Sequence, residues 1–276
     1  MGSLNVRTGH SPEHLPVLLA EVLELLAPRA GGRYLDGTLG LGGHSSAILT
    51  CADASPGIPA ELCGLDRDAA ALAVAKDRLA IYGGRVHFFH CRYSEFADAL
   101  DALGWDAVDG ALIDIGVSSM QIDTAERGFS FYADGPLDMR MDSDGPELSA
   151  RQLLSRIRVD ELKRLIAAYG EDPQAGRIAR AIASARERQS IETTRQLAAI
   201  VESAYPPQWR AKARNNPAMR TFQALRMAVN DEIGELERFL DTVLTHLRPG
   251  GRVAVISFHS IEDRIQMNDA LHRRLT

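Results

Sequence analysis

Four glycines in seven positions, within the run Asp36-Gly37-Thr38-Leu39-Gly40-Leu41-Gly42-Gly43-His44, constrain this chain more than any other feature. The run follows a short β-like stretch over residues 33–36 and opens a helical pattern over 44–49. Glycine allows positive φ and close approach of backbone to a ligand, as a strand-to-helix turn at the switch point of a doubly wound sheet requires. Downstream, β-like runs over 61–65, 86–90 and 110–115 alternate with helical patterns over 68–81 and 94–103. That rhythm specifies a Rossmann-like α/β fold, a mostly parallel sheet with crossover helices.

The rhythm breaks at Phe129. From there to Phe222 apolar residues fall at helical spacing, as at Leu162, Leu165, Ile166 and Tyr169, and again at Leu197, Ile200, Val201 and Ala204. Thr193 with Gln196 forms a capping box before the second set. The α/β pattern resumes with a helix over 230–247, the turn Arg248-Pro249-Gly250-Gly251 and a strand over 252–257. The chain therefore divides into a Rossmann-like unit, 1–128 and 227–276, interrupted by an all-helical insertion, 129–226.

Charge follows a similar division. The net charge is −6, yet residues 151–230 hold 15 Lys and Arg against 7 Asp and Glu, and the remainder 16 against 30. A basic insertion on an acidic body can bind phosphate locally without indiscriminate attraction to polyanions; the alternative is a solvated helical face. With 45% hydrophobic and 25% charged residues, the composition argues against disordered and fibrous classes. No apolar run is long enough for a signal peptide or membrane span, and Cys51, Cys63 and Cys91 form no C-x-x-C pair. Both features predict a cytoplasmic protein in a reducing compartment, with no membrane partner. No metal site is expected, because His87, His90 and Cys91 point to different faces of a strand, and His10 and His14 lie in a polar tail.

A second strand ends at Asp66, 23 residues after Gly43, where a carboxylate can accept from two ribose hydroxyls. The nicotinamide fingerprint G-x-G-x-x-G, read from Gly40, would need glycine where Ser45 stands, and no Gly-Lys-Ser/Thr follows for a P-loop. A cofactor bearing adenosine but lacking pyrophosphate is indicated, and S-adenosylmethionine is the common one. Tyr93 beyond the third strand can lie against the adenine, and Asp114 at the end of the fourth faces the same crevice. The bland alternatives are a surface tyrosine and a helix-capping aspartate.

Several blocks carry a family resemblance: His14–Val17 with Glu21, Gly42-Gly43-His44-Ser45, Leu65-Asp66-Arg67-Asp68, Asp114-Ile115-Gly116-Val117-Ser118-Ser119-Met120-Gln121 and Ala125-Glu126-Arg127-Gly128-Phe129-Ser130-Phe131. Asp134–Asp142 (DGPLDMRMD), Arg220-Thr221-Phe222-Gln223-Ala224-Leu225-Arg226 and Ser257-Phe258-His259-Ser260-Ile261-Glu262-Asp263-Arg264 complete the set. The chain resembles the bacterial 16S rRNA (cytosine-N4) methyltransferase family, also called MraW or RsmH. The resemblance implies a class I S-adenosylmethionine-dependent methyltransferase fold with an inserted helical domain, acting on a cytidine in the decoding region of small-subunit rRNA. It also implies cofactor contacts at Gly42, Gly43, His44, Asp66, Tyr93, Asp114 and Gln121. After Arg264 the sequence departs from the family's basic stretch, so the final strands of the sheet are expected to be missing.

Methyl transfer to cytosine N4 is an in-line displacement, so alignment is most of the task. The N4 lone pair is delocalised into the ring, and an acceptor for N4–H would localise it. The candidate acceptors are Asp114, Asp138 and Asp142. If Asp114 serves the cofactor, Asp138 becomes the acceptor, with Arg140 holding a phosphate or the cofactor carboxylate; the alternative is that DMRMD is a salt-bridged turn. Phe222, Leu225 and Val229 share an inward helix face, leaving Arg220, Gln223, Arg226 and Asn230 as a stripe suited to RNA, preceded by Arg210, Lys212 and Arg214. His259, beyond the last strand, reaches the crevice or serves structure. The rival readings are a noncatalytic S-adenosylmethionine- or RNA-binding protein and a DNA amino-methyltransferase, although Asp114-Ile115-Gly116-Val117 lacks the paired prolines usual in the latter. The oligomeric state, including a homodimer, stays open.

Overall fold

A computed structural model describes residues 16–211, 215–258 and 262. Its centre is a parallel sheet in the order β3-β2-β1-β4-β5, with β1 at Arg33–Asp36, β2 at Glu61–Asp66, β3 at Val86–His90, β4 at Val108–Asp114 and β5 at Leu247–Ile256. The order reverses between β1 and β4, which puts a crevice beyond the carboxyl ends of those two strands.

These strands are short apolar runs because helices cover both of their faces. Alternate residues serve opposite layers: Tyr34, Leu62 and Leu112 face one core, and Leu35, Cys63 and Ile113 the other. The first core is closed by α1 (Leu19–Leu26), α2 (Gly43–Asp53) and α3 (Ala69–Leu79). The second is closed by α4 (Phe96–Ala102) and α12 (Glu232–Val243), through Phe96, Leu100, Leu236 and Phe239. A helical sequence pattern reaching residue 81 is resolved as α3 followed by a 3-10 stretch, Ala80–Arg85. The turn Arg248-Pro249-Gly250-Gly251 lies inside β5 as an irregularity: Val108 pairs with Leu247 and Gly110 with Arg252. Asp109 anchors it, accepting from Arg248 at 2.8 Å and from Arg29 at 2.6 Å.

Between α5 (Ser119–Asp123) and α12 the described chain adds no strand to the sheet. It forms α6 (Ala150–Arg156), α7 (Val159–Gly170), α8 (Ala175–Arg188), α9 (Thr194–Ala204), α10 (Pro207–Arg210) and α11 (Ala218–Val229). The capping box at Thr193 and Gln196 is present, and Ser149 with Gln152 forms another. Leu162, Ile166, Ile178, Ile182, Leu197, Val201, Phe222 and Leu225 build a core separate from the two sheet layers. Val229 still packs in that core, so the boundary read after Arg226 falls inside α11.

Two polar locks join the helical part to the sheet. Arg127 donates to Asp68 Oδ2 at 2.6 Å and to Met141 O at 2.7 Å. Asn230, fully buried, accepts from Met141 N at 2.8 Å and donates to Met139 O at 2.8 Å, while Arg67 donates to its carbonyl at 3.0 Å. Among the described residues no helix is long and apolar enough to cross a membrane.

Candidate cofactor and active site

The glycine run does what its composition demands. Gly37 N donates to Leu112 O at 2.8 Å, Leu39 N to Leu65 O at 2.8 Å and Gly40 N to Asp66 Oδ2 at 2.7 Å, tying the turn to both neighbouring strands. Gly42 caps α2 at φ 76°, a conformation costly for any residue with a Cβ. Beneath the turn, buried Asp36 accepts from Ser45 Oγ at 2.6 Å and Thr38 N at 3.2 Å. Burial, with smaller contributions from nearby Asp114 and Asp66, pushes its carboxyl up to about 7.

Above the turn lies a cavity of about 240 Å³, walled by the tips of β1, β2 and β4. Asp66 enters from β2, its oxygens receiving Asp68 N at 2.8 Å and Gly40 N; burial raises its pKa and these two bonds oppose the rise. Asp68 caps α3 through Ala70 N at 3.1 Å and also receives Gln121 Nε2 at 2.9 Å. Gln121 Oε1 accepts from Ser118 N at 3.1 Å, so α5's capping box fixes its side chain. Tyr93 stands with its ring edge against Phe239, centroids 5.7 Å apart, and burial pushes its phenol far up.

Asp114 ends β4. Its backbone N–H is held by Thr38 Oγ1 at 2.6 Å, while its Oδ1 is buried without a hydrogen-bond partner. Burial first, then the charge of Glu262, raises this carboxyl to about 6. His44 Nε2 lies 3.8 Å from Asp114 Oδ2, and neither imidazole nitrogen has a hydrogen-bond partner; burial lowers the histidine pKa and keeps the ring neutral. Buried polar atoms are expensive to leave unpaired, so this pair marks where a ligand's polar groups belong.

The wall is acidic overall. Asp68 and Glu232 are neutralised by Arg127 and Arg226, and Glu235 by Arg92 and Arg238. Asp66 and Asp114 form no ion pair with Lys or Arg among the described residues, although Arg67 and Arg78 also line the cavity. A cofactor with ribose hydroxyls fits this lining, with the Asp66 carboxylate placed for the sugar and His44 for a carboxylate.

Of the residues expected at the cofactor, Gly43, His44, Asp66, Tyr93, Asp114 and Gln121 line this cavity. Gly42 does not; a Cβ there would meet Leu79 at 2.9 Å, so it serves packing. Asp138 and Arg140, the other candidates for the chemistry, lie outside this lining. Arg140 grips Asp138 through two bonds of 2.8 and 2.9 Å, and Asp138 also accepts from Arg140 N. Burial opposes ionisation of Asp138, but the arginine outweighs it and holds the carboxyl below its usual range. Asp142 instead sits 3.7 Å from His90.

The expected RNA stripe is only partly open to solvent. Arg226 pairs with Glu232 at 2.7 and 2.8 Å, Gln223 donates to Tyr169 O at 3.0 Å, and Asn230 is the buried lock. Arg220 is exposed while donating to Glu171 O at 2.8 Å, and Arg210 is exposed. Lys212, Arg214, His10, His14 and His259 lie outside the described residues. Sequence reasoning missed Met141, Glu232, Glu235 and Phe258 in the lining. Met141 and Phe258 carried a signal, the first inside the block Asp134–Asp142 and the second one residue beyond the expected end of the last strand.

The MraW methylase family matches residues 11–273. A ribosomal RNA small subunit methyltransferase H of Nitratidesulfovibrio vulgaris (strain DSM 19637 / Miyazaki F) is 69% identical over 252 residues, 91% of this chain and 69% of that protein. A protein of the same name from Desulfovibrio desulfuricans is 66% identical over 258 residues, 94% of this chain and 77% of that one. S-adenosylmethionine is accordingly the chain's cofactor, and the chain belongs to the MraW methylase family.

Proposed function

We propose that this chain transfers the methyl group of S-adenosylmethionine to N4 of a cytidine in the 16S rRNA of the small ribosomal subunit, in the decoding region. The observation that carries the chemistry is the buried, unpartnered Oδ1 of Asp114 at the β4 tip. The similarity to small-subunit rRNA methyltransferases supports the substrate class.

Bound S-adenosylmethionine supplies an electrophilic methyl carbon. Asp66 holds the ribose, Tyr93 packs the adenine side, and Gly43 keeps the backbone low enough for close approach. Asp114 accepts N4–H, localises the nitrogen lone pair and takes the proton that the amine gives up. With its carboxyl near 6, it is ionised at neutral pH and still basic enough to hold a proton briefly. Neutral His44 orients Asp114 or donates to the ligand's carboxylate. The Rossmann-like unit, 1–128 and 227–276, performs the chemistry; the helical unit from 129, which we extend from 226 to Val229, grips RNA through exposed cations such as Arg210 and Arg220.

The test is labelled-methyl transfer to assembled small subunits that lack the modification, followed by nucleoside analysis. N4-methylcytidine is the expected product. Cofactor binding without transfer would leave a noncatalytic binder, and transfer to naked DNA would point to a DNA amino-methyltransferase.

A further inference from the structure

An acceptor for N4–H is only part of what a base-modifying site needs, because an extruded base must also be held flat. Besides the His44 imidazole, the cavity lining offers two aromatic rings, Tyr93 and Phe258. Tyr93 is already engaged: it packs on Phe239 and its hydroxyl donates to Glu232 O at 3.4 Å. Phe258 is 59% exposed while lining the cavity, so its ring is open on the side away from the wall. Among the described residues no aromatic ring stacks on it.

Strand register sets its position. Asp114 pairs with Ile256, and Ile115 N donates to Ile256 O at 2.9 Å, so the chains continue side by side to Gly116 and Phe258. Gly116 has φ 133°, and a Cβ there would lie 3.4 Å from Phe258 Cδ2; the ring rests against bare backbone at the β4 tip. Phe258 N donates to Glu262 Oε2 at 3.1 Å, which fixes the backbone that carries the ring. An open aromatic face therefore stands at the cavity mouth, two residues along from the unpartnered Asp114 carboxylate.

We infer that Phe258 is the stacking platform for the extruded target base, holding the pyrimidine so that its exocyclic amine points to Asp114. The inference rests on the N4-cytidine reading for the identity of that amine. Stacking on a phenyl face accepts any base, so Phe258 supplies capture and alignment, while the choice of cytosine falls to the amine contact. Cofactor affinity does not depend on the ring.

Single-turnover methyl transfer to unmodified small subunits, compared among wild type, Phe258→Ala, Phe258→Leu and Phe258→Tyr, tests it. Base–aromatic stacking predicts that Phe258→Ala lowers kcat/KM by roughly 10- to 100-fold, that Phe258→Leu stays low because it has bulk without a π face, and that Phe258→Tyr stays near wild type. The S-adenosylmethionine Kd should remain within about twofold in every variant, which also shows that each is folded. Full activity in Phe258→Ala, or leucine performing as well as tyrosine, would overturn the assignment. If the wild type yields a nucleoside other than N4-methylcytidine, the amine reading falls while the ranking of variants still judges Phe258. If the wild type transfers no methyl, equilibrium dialysis of cytidine with protein saturated in S-adenosylhomocysteine decides: loss of binding in Phe258→Ala supports the platform, and absent or unchanged binding rejects it.

Discussion

Asp36 and Asp114 both end strands of the same sheet, yet burial gives them different tasks. Asp114 must be ionised to accept an amine proton, and its carboxyl stands at about 6. The rate of the chemical step should therefore fall about tenfold per pH unit below 6 and level off above 7, as single-turnover pH profiles would show. Asp114→Asn should reduce that rate by about 100-fold or more and abolish the acidic limb, with cofactor affinity changed only a few-fold. Asp36 faces no ligand. Its folded-state pKa of about 7 stands above the ordinary 3.8, so the folded protein holds this proton more tightly than the unfolded chain. The resulting stabilisation is complete below about pH 4 and is lost as pH rises through 7, a change on the order of 4 kcal/mol. Urea melts should show wild type losing stability relative to Asp36→Asn between pH 5 and 8; a constant difference would mean that Asp36 ionises normally.

At the scale of elements, what could be read from the chain was whatever depends on local pattern. Buried parallel strands are continuous apolar runs ending at Gly or Asp, so β1 to β4 and the glycine turn were legible, as was the capping box of α9. The helical insertion was legible as a loss of β signal. Pairing of charges was not, because it depends on which elements meet. In sequence Arg226 and Asp138 stand as free charges, whereas in the fold Glu232 of α12 lies 2.7 Å from Arg226 and Arg140 binds Asp138 at 2.8 Å. The segment between them shows the same dependence: Met139 is buried at φ 64°, a strained conformation in which its N–H donates to Arg127 O and its carbonyl accepts from Asn230 Nδ2. Asn230→Ala would strand Met141 N and Met139 O in the core, and we expect a loss of about 3 kcal/mol in chemical denaturation. A cost below about 0.5 kcal/mol would show that water replaces the amide.

Over the whole molecule, negative charge concentrates in the sheet unit and positive charge in the helical one. Between Glu202 and Asp231 the sequence contains no acidic residue, and exposed Arg210 lies in that stretch. Arg210→Glu should weaken binding to small subunits and reduce the slope of log K against log salt by about one, while leaving cofactor affinity intact. An unchanged slope would place the RNA on another face.

The helical unit leaves the sheet past Gln121 and Met141 and rejoins it at Glu232, and all three residues line the cavity. Neither junction lies at the remote end of the sheet. Ligation that shifts the geometry of one unit would act on residues of the other, and a closed thermodynamic cycle then requires reciprocity. Were docking on a ribosomal particle to tighten the hold on the methyl donor by some factor, the donor would tighten the hold on the particle by that same factor, and exchange of donor for demethylated product would then favour release.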